Sequence, residues 1–258
     1  MLFRLISFLR FFWYSTNHHK IHSPFVFELV TNCFYNNKQQ YWYADYLKLR
    51  NELLKDKTII EVTDFGAGSK KMDRTTRSVQ SIAKNAGINL KRAFLLGRMT
   101  DYLQTGNILE IGTSAGLGAA AVSMGNTQNK IFTLEGCPNT ATIAKKYFEK
   151  YRLRNIHLIE GNFDSTLPRI LKEHPFDMIF FDGNHRKEPT ISYFEQCLKY
   201  VKNDSVFIFD DIYWSKGMNE AWNYIYSHPA VSVSIDTYRW GIVFFRKEQP
   251  KQHFIIRI

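Results

Sequence analysis

The sequence predicts an open, mostly parallel α/β sheet with helices on both faces, preceded by a helical N-terminal extension. Three observations predict it. Short apolar runs alternate with helix-length segments from Asn107 to Phe245. The first of these runs ends in a tight glycine turn that opens onto a stretch of small side chains, Ala119-Ala120-Ala121-Val122. The runs are also apolar throughout, as expected of parallel strands covered on both faces.

Composition sets the bounds. The chain has 258 residues, enough for one large α/β domain with an extension, and at 45% hydrophobic and 16% aromatic it is a folding sequence. Its formal net charge of +10 favours acidic partners, but the Lys and Arg are spread along the chain and form no nucleic-acid arm. Cys33, Cys137 and Cys197 form no C-x-x-C pair, which points to reduced thiols in a cytoplasmic protein.

Taken in order, Leu2 to Tyr14 is apolar but carries Arg4 and Arg10. It lacks a small-residue cleavage site, and no run in the chain is long enough to span a bilayer. Two placements are open for it: flat on a membrane as a basic amphipathic helix, or docked on the protein itself or on a second subunit of a homodimer. Further helices are expected at Phe25 to Phe34, Tyr41 to Leu54, Arg74 to Ala86 and Lys91 to Leu103. Residues 1–94 are assigned to a helical extension or lid and 95–258 to the main domain. His18, His19 and His22 have no Cys or acid at ligand spacing and read as solvated loop histidines. Asp64-Phe65-Gly66-Ala67-Gly68-Ser69 follows an apolar run and mimics a cofactor turn, but no strand ending in an acid follows about 20 residues on, so it is assigned to the extension, as a loop bordering the site.

Asn107-Ile108-Leu109-Glu110-Ile111-Gly112-Thr113-Ser114-Ala115-Gly116-Leu117-Gly118 is the stretch around which the rest is organised. It reads as a buried strand, a glycine turn and a helix. Glycine serves where the backbone needs positive φ or a ligand touches it, and the helix start offers free N–H groups. The next strand, Lys130 to Glu135, also ends in an acid, and an acid there accepts hydrogen bonds from ribose hydroxyls. A helix from Asn139 to Tyr151 follows, with Pro138 suited to its first turn. Then come a third strand at Ile156 to Ile159, the turn Glu160-Gly161-Asn162-Phe163, and a helix around Leu167 to Lys172. A fourth strand spans Phe176 to Phe181, a helix Thr190 to Tyr200, a fifth strand Ser205 to Phe209 and a helix Gly217 to Ser227. Val231 to Asp236 and Gly241 to Phe245 close the chain as two strands that should pair antiparallel across a short turn.

Ligands of an open α/β sheet sit beyond the carboxyl ends of its strands. After the fourth strand stand Asp182-Gly183-Asn184-His185, and after the fifth Asp210-Asp211. If the first, fourth and fifth strands are neighbours, Asp182, Asp210 and Asp211 converge and repel one another, and a hard divalent cation such as Mg²⁺ would neutralise them. The alternative is that these acids cap turns or bind a cationic group. Tyr213, Trp214, Trp222 and Trp240 suit either a planar substrate or the core.

The spacing E-x-G-x-x-x-G-x-G resembles motif I of class I S-adenosylmethionine-dependent methyltransferases rather than a dinucleotide fingerprint. The order Glu110/Gly112/Gly116, Glu135, Gly161-Asn162, Asp182-x-x-His185, Asp210-Asp211 is similar to that of the cation-dependent O-methyltransferases, of the catechol and caffeoyl-CoA type, and of related bacterial sugar O-methyltransferases. The resemblance covers about Leu95 to Phe245. It implies a Rossmann-like seven-stranded sheet, mostly parallel with the last strand antiparallel. It implies a cofactor site at Glu110, Gly112, Thr113, Ser114, Gly116, Gly118, Glu135, Gly161, Asn162, Phe163 and Asp182. It further implies a metal site at Asp182, Asp210 and Asp211, with Asp182 and His185 catalytic. His185 stands where the catechol type carries a lysine base, the catechol type has Asn at the third metal position, and Asn162 stands where many class I enzymes have Asp. The expected reaction is O-methylation of a small-molecule hydroxyl with S-adenosylmethionine and Mg²⁺ or another divalent cation. A metal-independent or RNA-directed methyltransferase, a nicotinamide-dependent oxidoreductase and a non-catalytic S-adenosylmethionine-binding protein are the rivals; no amino-group motif of the N-P-P-Y kind supports the RNA reading.

Overall fold

The computed structural model describes residues 2–63 and 75–258. The Gly66 and Gly68 stretch singled out in the sequence lies outside the described residues. The chain forms two compact units, one of the residues up to Asn36 with Pro175–Ile258, the other of Asn37–His174.

The first unit opens with α1, Leu2–Tyr14, and a single 3₁₀ turn, His18–Lys20. Next comes α2, Pro24–Leu29, which runs into a π-helical turn, Val30–Phe34. Ser23 starts α2 by accepting a hydrogen bond from the Val26 N–H, and Pro24 occupies the first turn, where its missing N–H costs nothing.

The second unit begins with α3, Tyr43–Leu53, followed by β1, Ile59–Glu61, β2, Thr76–Ser78, α4, Val79–Asn85, and α5, Leu90–Tyr102. The helix expected from Arg74 is corrected here: Thr76–Ser78 pairs antiparallel with Ile59–Glu61, and the helix begins only where the Ser78 side chain caps it by accepting from the Ser81 N–H. The unit continues with β3, Asn107–Ile111; α6, Leu117–Gly125; β4, Lys130–Glu135; α7, Pro138–Lys150; β5, Ile156–Glu160; and α8, Phe163–Glu173. β3, β4 and β5 are parallel neighbours in that order. α8 starts four residues before its expected first residue, because Asn162 caps it by accepting from the Asp164 N–H. The small residues of α6 have a packing role: a Cβ on Gly125 would lie 2.6 Å from the Gly97 carbonyl oxygen, so α5 and α6 approach backbone to backbone.

The first unit is completed by β6, Met178–Phe181; α9, Lys187–Leu198; β7, Val206–Asp210; α10, Lys216–Ser227; β8, Val233–Asp236; β9, Trp240–Phe244; and β10, Gln252–Ile255. Its strand order is β6-β7-β9-β8-β10. β6 and β7 are parallel, β9 runs against β7 and β8 as expected of Gly241 to Phe245, and β10 pairs parallel with β8. The expectation of seven strands with the last antiparallel is corrected: among the described residues the second unit carries three of these strands and the first unit five, and the antiparallel one, β9, is not the last. β10 escaped notice because Gln252 and His253 break its apolar character, as suits an edge strand. The residues of β6, β7, β8 and β9 are all buried, which explains the apolar runs of β6, β7 and β9, while β8 buries Ser234 and Asp236 as well. Trp222 and Trp240 are 1% and 0% exposed and belong to this core; Tyr213 and Trp214 are half-buried.

Candidate functional site

The glycine turn after β3 is built on positive backbone angles: Gly112 has φ +109°, Ser114 +50° and Gly116 +84°. A β-carbon is strained at such angles, so the glycines are a backbone requirement. The Gly112 and Thr113 N–H groups both donate to the Leu134 carbonyl, at 3.1 and 3.0 Å, strapping the turn to the end of β4. Gly116 then caps α6, whose first turn contains Gly118.

Glu135, the last residue of β4, ties this turn to its own. One carboxylate oxygen accepts from the Ser114 N–H at 2.8 Å and the other from the Cys137 N–H at 2.9 Å. Its carbonyl accepts from the Gly161 N–H at 2.9 Å, which joins the turn after β5 to the same point. Gly161 has φ +136°, Asn162 is exposed with its side-chain oxygen engaged in capping α8, and Phe163 is the first residue of that helix. Apart from Glu110, which lies within β3, the cofactor residues expected within this unit thus stand at three successive strand-to-helix turns, with Glu135 joining them.

Glu110 lies beneath the turn, only 2% exposed. It accepts a hydrogen bond from the Thr133 hydroxyl at 2.5 Å, and the Thr133 and Thr113 hydroxyls are 2.5 Å apart. Burial pushes its carboxyl up to about 8, the Thr133 hydroxyl and the Ala119 N–H oppose that rise, and the Glu135 charge adds to it. Glu110 is therefore a protonated strut under the turn at neutral pH. Sequence reasoning missed Thr133. A buried acid needs a polar neighbour, but Thr133 becomes the direct cross-strand partner of Glu110 only in the β3–β4 register, which spacing does not reveal.

A second cluster belongs to the other unit. Asp182 follows β6, His185 precedes α9, and Asp210 is the last residue of β7. One ligand atom from each of the three lies within 4.8 Å of the other two. The His185 Nε2 atom is 3.8 Å from an Asp182 carboxylate oxygen. Asp210 is buried, and Asp182 and His185 are half-buried. Asp211, expected as the third metal ligand, stands outside this trio: it has φ +51° and its carboxylate meets the Arg239 guanidinium at 3.3 Å. Asn184, in the loop between Asp182 and His185, has φ +63° and donates through its amide to the Tyr193 hydroxyl at 3.2 Å. Its buried side-chain oxygen has no hydrogen-bond partner among the described residues. Two carboxylates and an imidazole form a donor set that fits a divalent cation of hard to borderline character. His18 of the N-terminal segment packs its ring against His19 and Tyr35, away from any acid cluster found among the described residues.

Residues 109–212 match a family model described as a methyltransferase domain. The chain is 29% identical over 83 residues to the protein-L-isoaspartate O-methyltransferase of Pyrococcus abyssi, a match that covers 32% of this chain and 37% of that relative's length. It is similar in fold to a methyltransferase of Podospora anserina solved with S-adenosylhomocysteine, at TM-score 0.61 and 15% identity, covering 88% of this chain and 97% of that one. It is likewise similar to an O-methyltransferase of Bacillus cereus in complex with S-adenosylhomocysteine, at TM-score 0.55 and 20% identity, covering 85% and 96%. Residues 109–212 are thus similar to a methyltransferase domain, and the chain has the Rossmann-like fold of the class I methyltransferases.

Proposed function

We propose that the protein is a methyltransferase that transfers the methyl group of S-adenosylmethionine to a hydroxyl of a small molecule, with a divalent cation at Asp182, Asp210 and His185. The turn at Gly112 to Gly118 and the carboxylate of Glu135 would hold the cofactor, Glu135 through its ribose, with Gly161, Asn162 and Phe163 bordering the adenine. When bound, the cofactor supplies a methyl group already activated on a sulfonium, and the cation supplies positive charge that favours the ionised form of a coordinated hydroxyl. The protein's own task is then alignment and deprotonation. The Ser114 and Cys137 N–H groups hold the Glu135 carboxylate in one orientation. The Glu110–Thr133–Thr113 network keeps the turn above it in place without placing a second negative charge there.

The observation that carries the cation-dependent reading is the Asp182, His185 and Asp210 trio. It supports His185 as the third ligand, since Asp211 is engaged by Arg239. The 3.8 Å approach of His185 to Asp182 supports a second reading, in which Asp182 orients the imidazole as the base that takes the acceptor's proton. Residues 1–94 would serve as an extension or lid on the methyltransferase domain. Cys33, Cys137 and Cys197 are buried and form no disulfide, which suits the reducing cytoplasm.

The test is transfer of label from methyl-labelled S-adenosylmethionine to a panel of catechol and sugar hydroxyls, with and without chelator. The proposal expects label in a hydroxyl acceptor, loss of transfer in chelator and recovery on adding Mg²⁺ or Mn²⁺. Transfer unaffected by chelator would leave a metal-independent methyltransferase, and no transfer to any hydroxyl would reject O-methylation.

A further inference from the structure

α1 has two unlike faces. Towards its own unit it buries Ser7 and Phe11. It is clamped by Tyr238, whose hydroxyl donates to the Arg4 carbonyl at 2.9 Å and whose ring meets those of Phe8 and Phe11. Just beyond the helix, Thr16 forms a parallel bridge with Ile256, which follows β10. The opposite face is apolar and bare. Leu2, Leu5, Ile6, Leu9, Phe12 and Trp13 are 70%, 56%, 51%, 59%, 54% and 83% exposed. At about 100° per residue these six form one continuous stripe of roughly 120°. Arg4 and Arg10 fall on either side of the stripe, and the Arg257 guanidinium sits 4.9 Å from the centre of the Phe12 ring.

A helix on the outside of a protein in water turns its polar side outward. α1 does the reverse, and a contiguous apolar patch rimmed by charge marks an interaction surface. The charge decides between occupants. No Asp or Glu occurs before Glu28, so the segment is cationic throughout. Two copies packed stripe to stripe would bring like-charged rims together with no acid in either segment to offset them. An anionic bilayer supplies the opposite charge over the whole rim, while its acyl region takes the stripe. Thirteen residues make a helix of about 20 Å, too short to cross a bilayer, and no helix among the described residues is long and apolar enough to do so.

We infer that α1 docks this protein on an anionic membrane surface, lying in the interface with Leu5, Leu9 and Trp13 towards the acyl chains and the exposed Arg10 among the headgroups, while the Arg4 guanidinium stays over the Trp214 ring at 4.6 Å. The inference is independent of the methyl acceptor and of the metal.

Flotation of the full-length chain with vesicles tests it, using phosphatidylcholine alone and phosphatidylcholine with a third of phosphatidylserine. Binding to the anionic vesicles should exceed binding to the neutral ones at least tenfold and weaken in high salt. Arg10→Gln should lower it about fivefold. The double variant Leu5→Glu, Leu9→Glu should abolish it with the thermal unfolding midpoint unchanged, since both side chains are more than half exposed. Trp13→Phe should remove the vesicle-induced blue shift of tryptophan emission. Absence of flotation, or flotation undiminished in the double variant, would overturn the inference. So would light scattering that shows a dimer which the double variant dissolves while vesicles bind neither form.

Discussion

Replacing Glu135 by alanine removes one carboxylate and with it two main-chain anchors. The Ser114 and Cys137 N–H groups, at 2.8 and 2.9 Å, lose their acceptors. A hydrogen bond to a charged acceptor contributes about 1.5–3 kcal/mol. The site is half-buried, so water replaces part of what is lost, and the expected loss of stability is about 2–3 kcal/mol for the pair. The proposed ribose contact adds a separate effect on binding: one or two hydrogen bonds, about 1–3 kcal/mol, or roughly five- to 150-fold in Kd. Glu135→Gln divides the two effects. Its amide oxygen keeps one main-chain bond, while its amide nitrogen faces the other N–H donor and cannot accept from it. The glutamine variant should therefore be intermediate in stability and still weak in binding. Urea unfolding of both variants, with calorimetric titration of S-adenosylhomocysteine, reads both quantities. Wild-type affinity in Glu135→Ala would refute the ribose role even with stability lowered, and unchanged stability would refute the anchoring.

Four further variants have outcomes set by the geometry. Gly112→Val places a branched β-carbon at φ +109°, which should cost at least ~1–3 kcal/mol of stability and abolish cofactor binding in the same titration. Glu110→Gln should flatten the dependence of stability on pH: the folded carboxyl keeps its proton up to about 8 against an ordinary 4.5, so the unfolded chain binds fewer protons in between and wild-type stability falls as pH rises through that window, by up to ~3 kcal/mol between pH 5 and 7.5. Denaturant melts at several pH values check this, and a wild-type slope equal to the variant's would contradict it. Asp210→Ala should lose both Mn²⁺ binding, followed by calorimetry, and transfer activity. His185→Ala then separates the two readings of that residue: lost metal binding marks a ligand, whereas retained metal binding with a ~10²–10⁴-fold slower rate marks a base.

What the sequence revealed was local. Gly112 and Gly116 announce a turn because positive φ is nearly their own preserve, and the structure places both there. The apolar runs that became β3, β4, β6 and β7 are legible because both of their faces are covered. Features that depend on register or on side-chain direction were not legible. Thr133 is the partner of Glu110 only because β4 pairs with β3 in one particular register. β2 needs β1 across a gap in sequence, and β10 needs β8, so neither stands out as a period or a run. Adjacent acids after β7 look equivalent in sequence, yet Asp210 ends the strand and joins Asp182 and His185, while the positive φ of Asp211 accompanies a carboxylate paired with Arg239. Spacing alone does not tell which of two neighbours turns inward.

The central claim is that the turns after β3 and β4 hold S-adenosylmethionine, and a crystal structure of the chain grown with S-adenosylhomocysteine tests it most directly. Ligand density should lie against the Gly112 to Gly118 turn, with the ribose hydroxyls within hydrogen-bonding distance of the Glu135 carboxylate. Density at the Gly66 and Gly68 stretch, or none at a saturating ligand concentration, would contradict it.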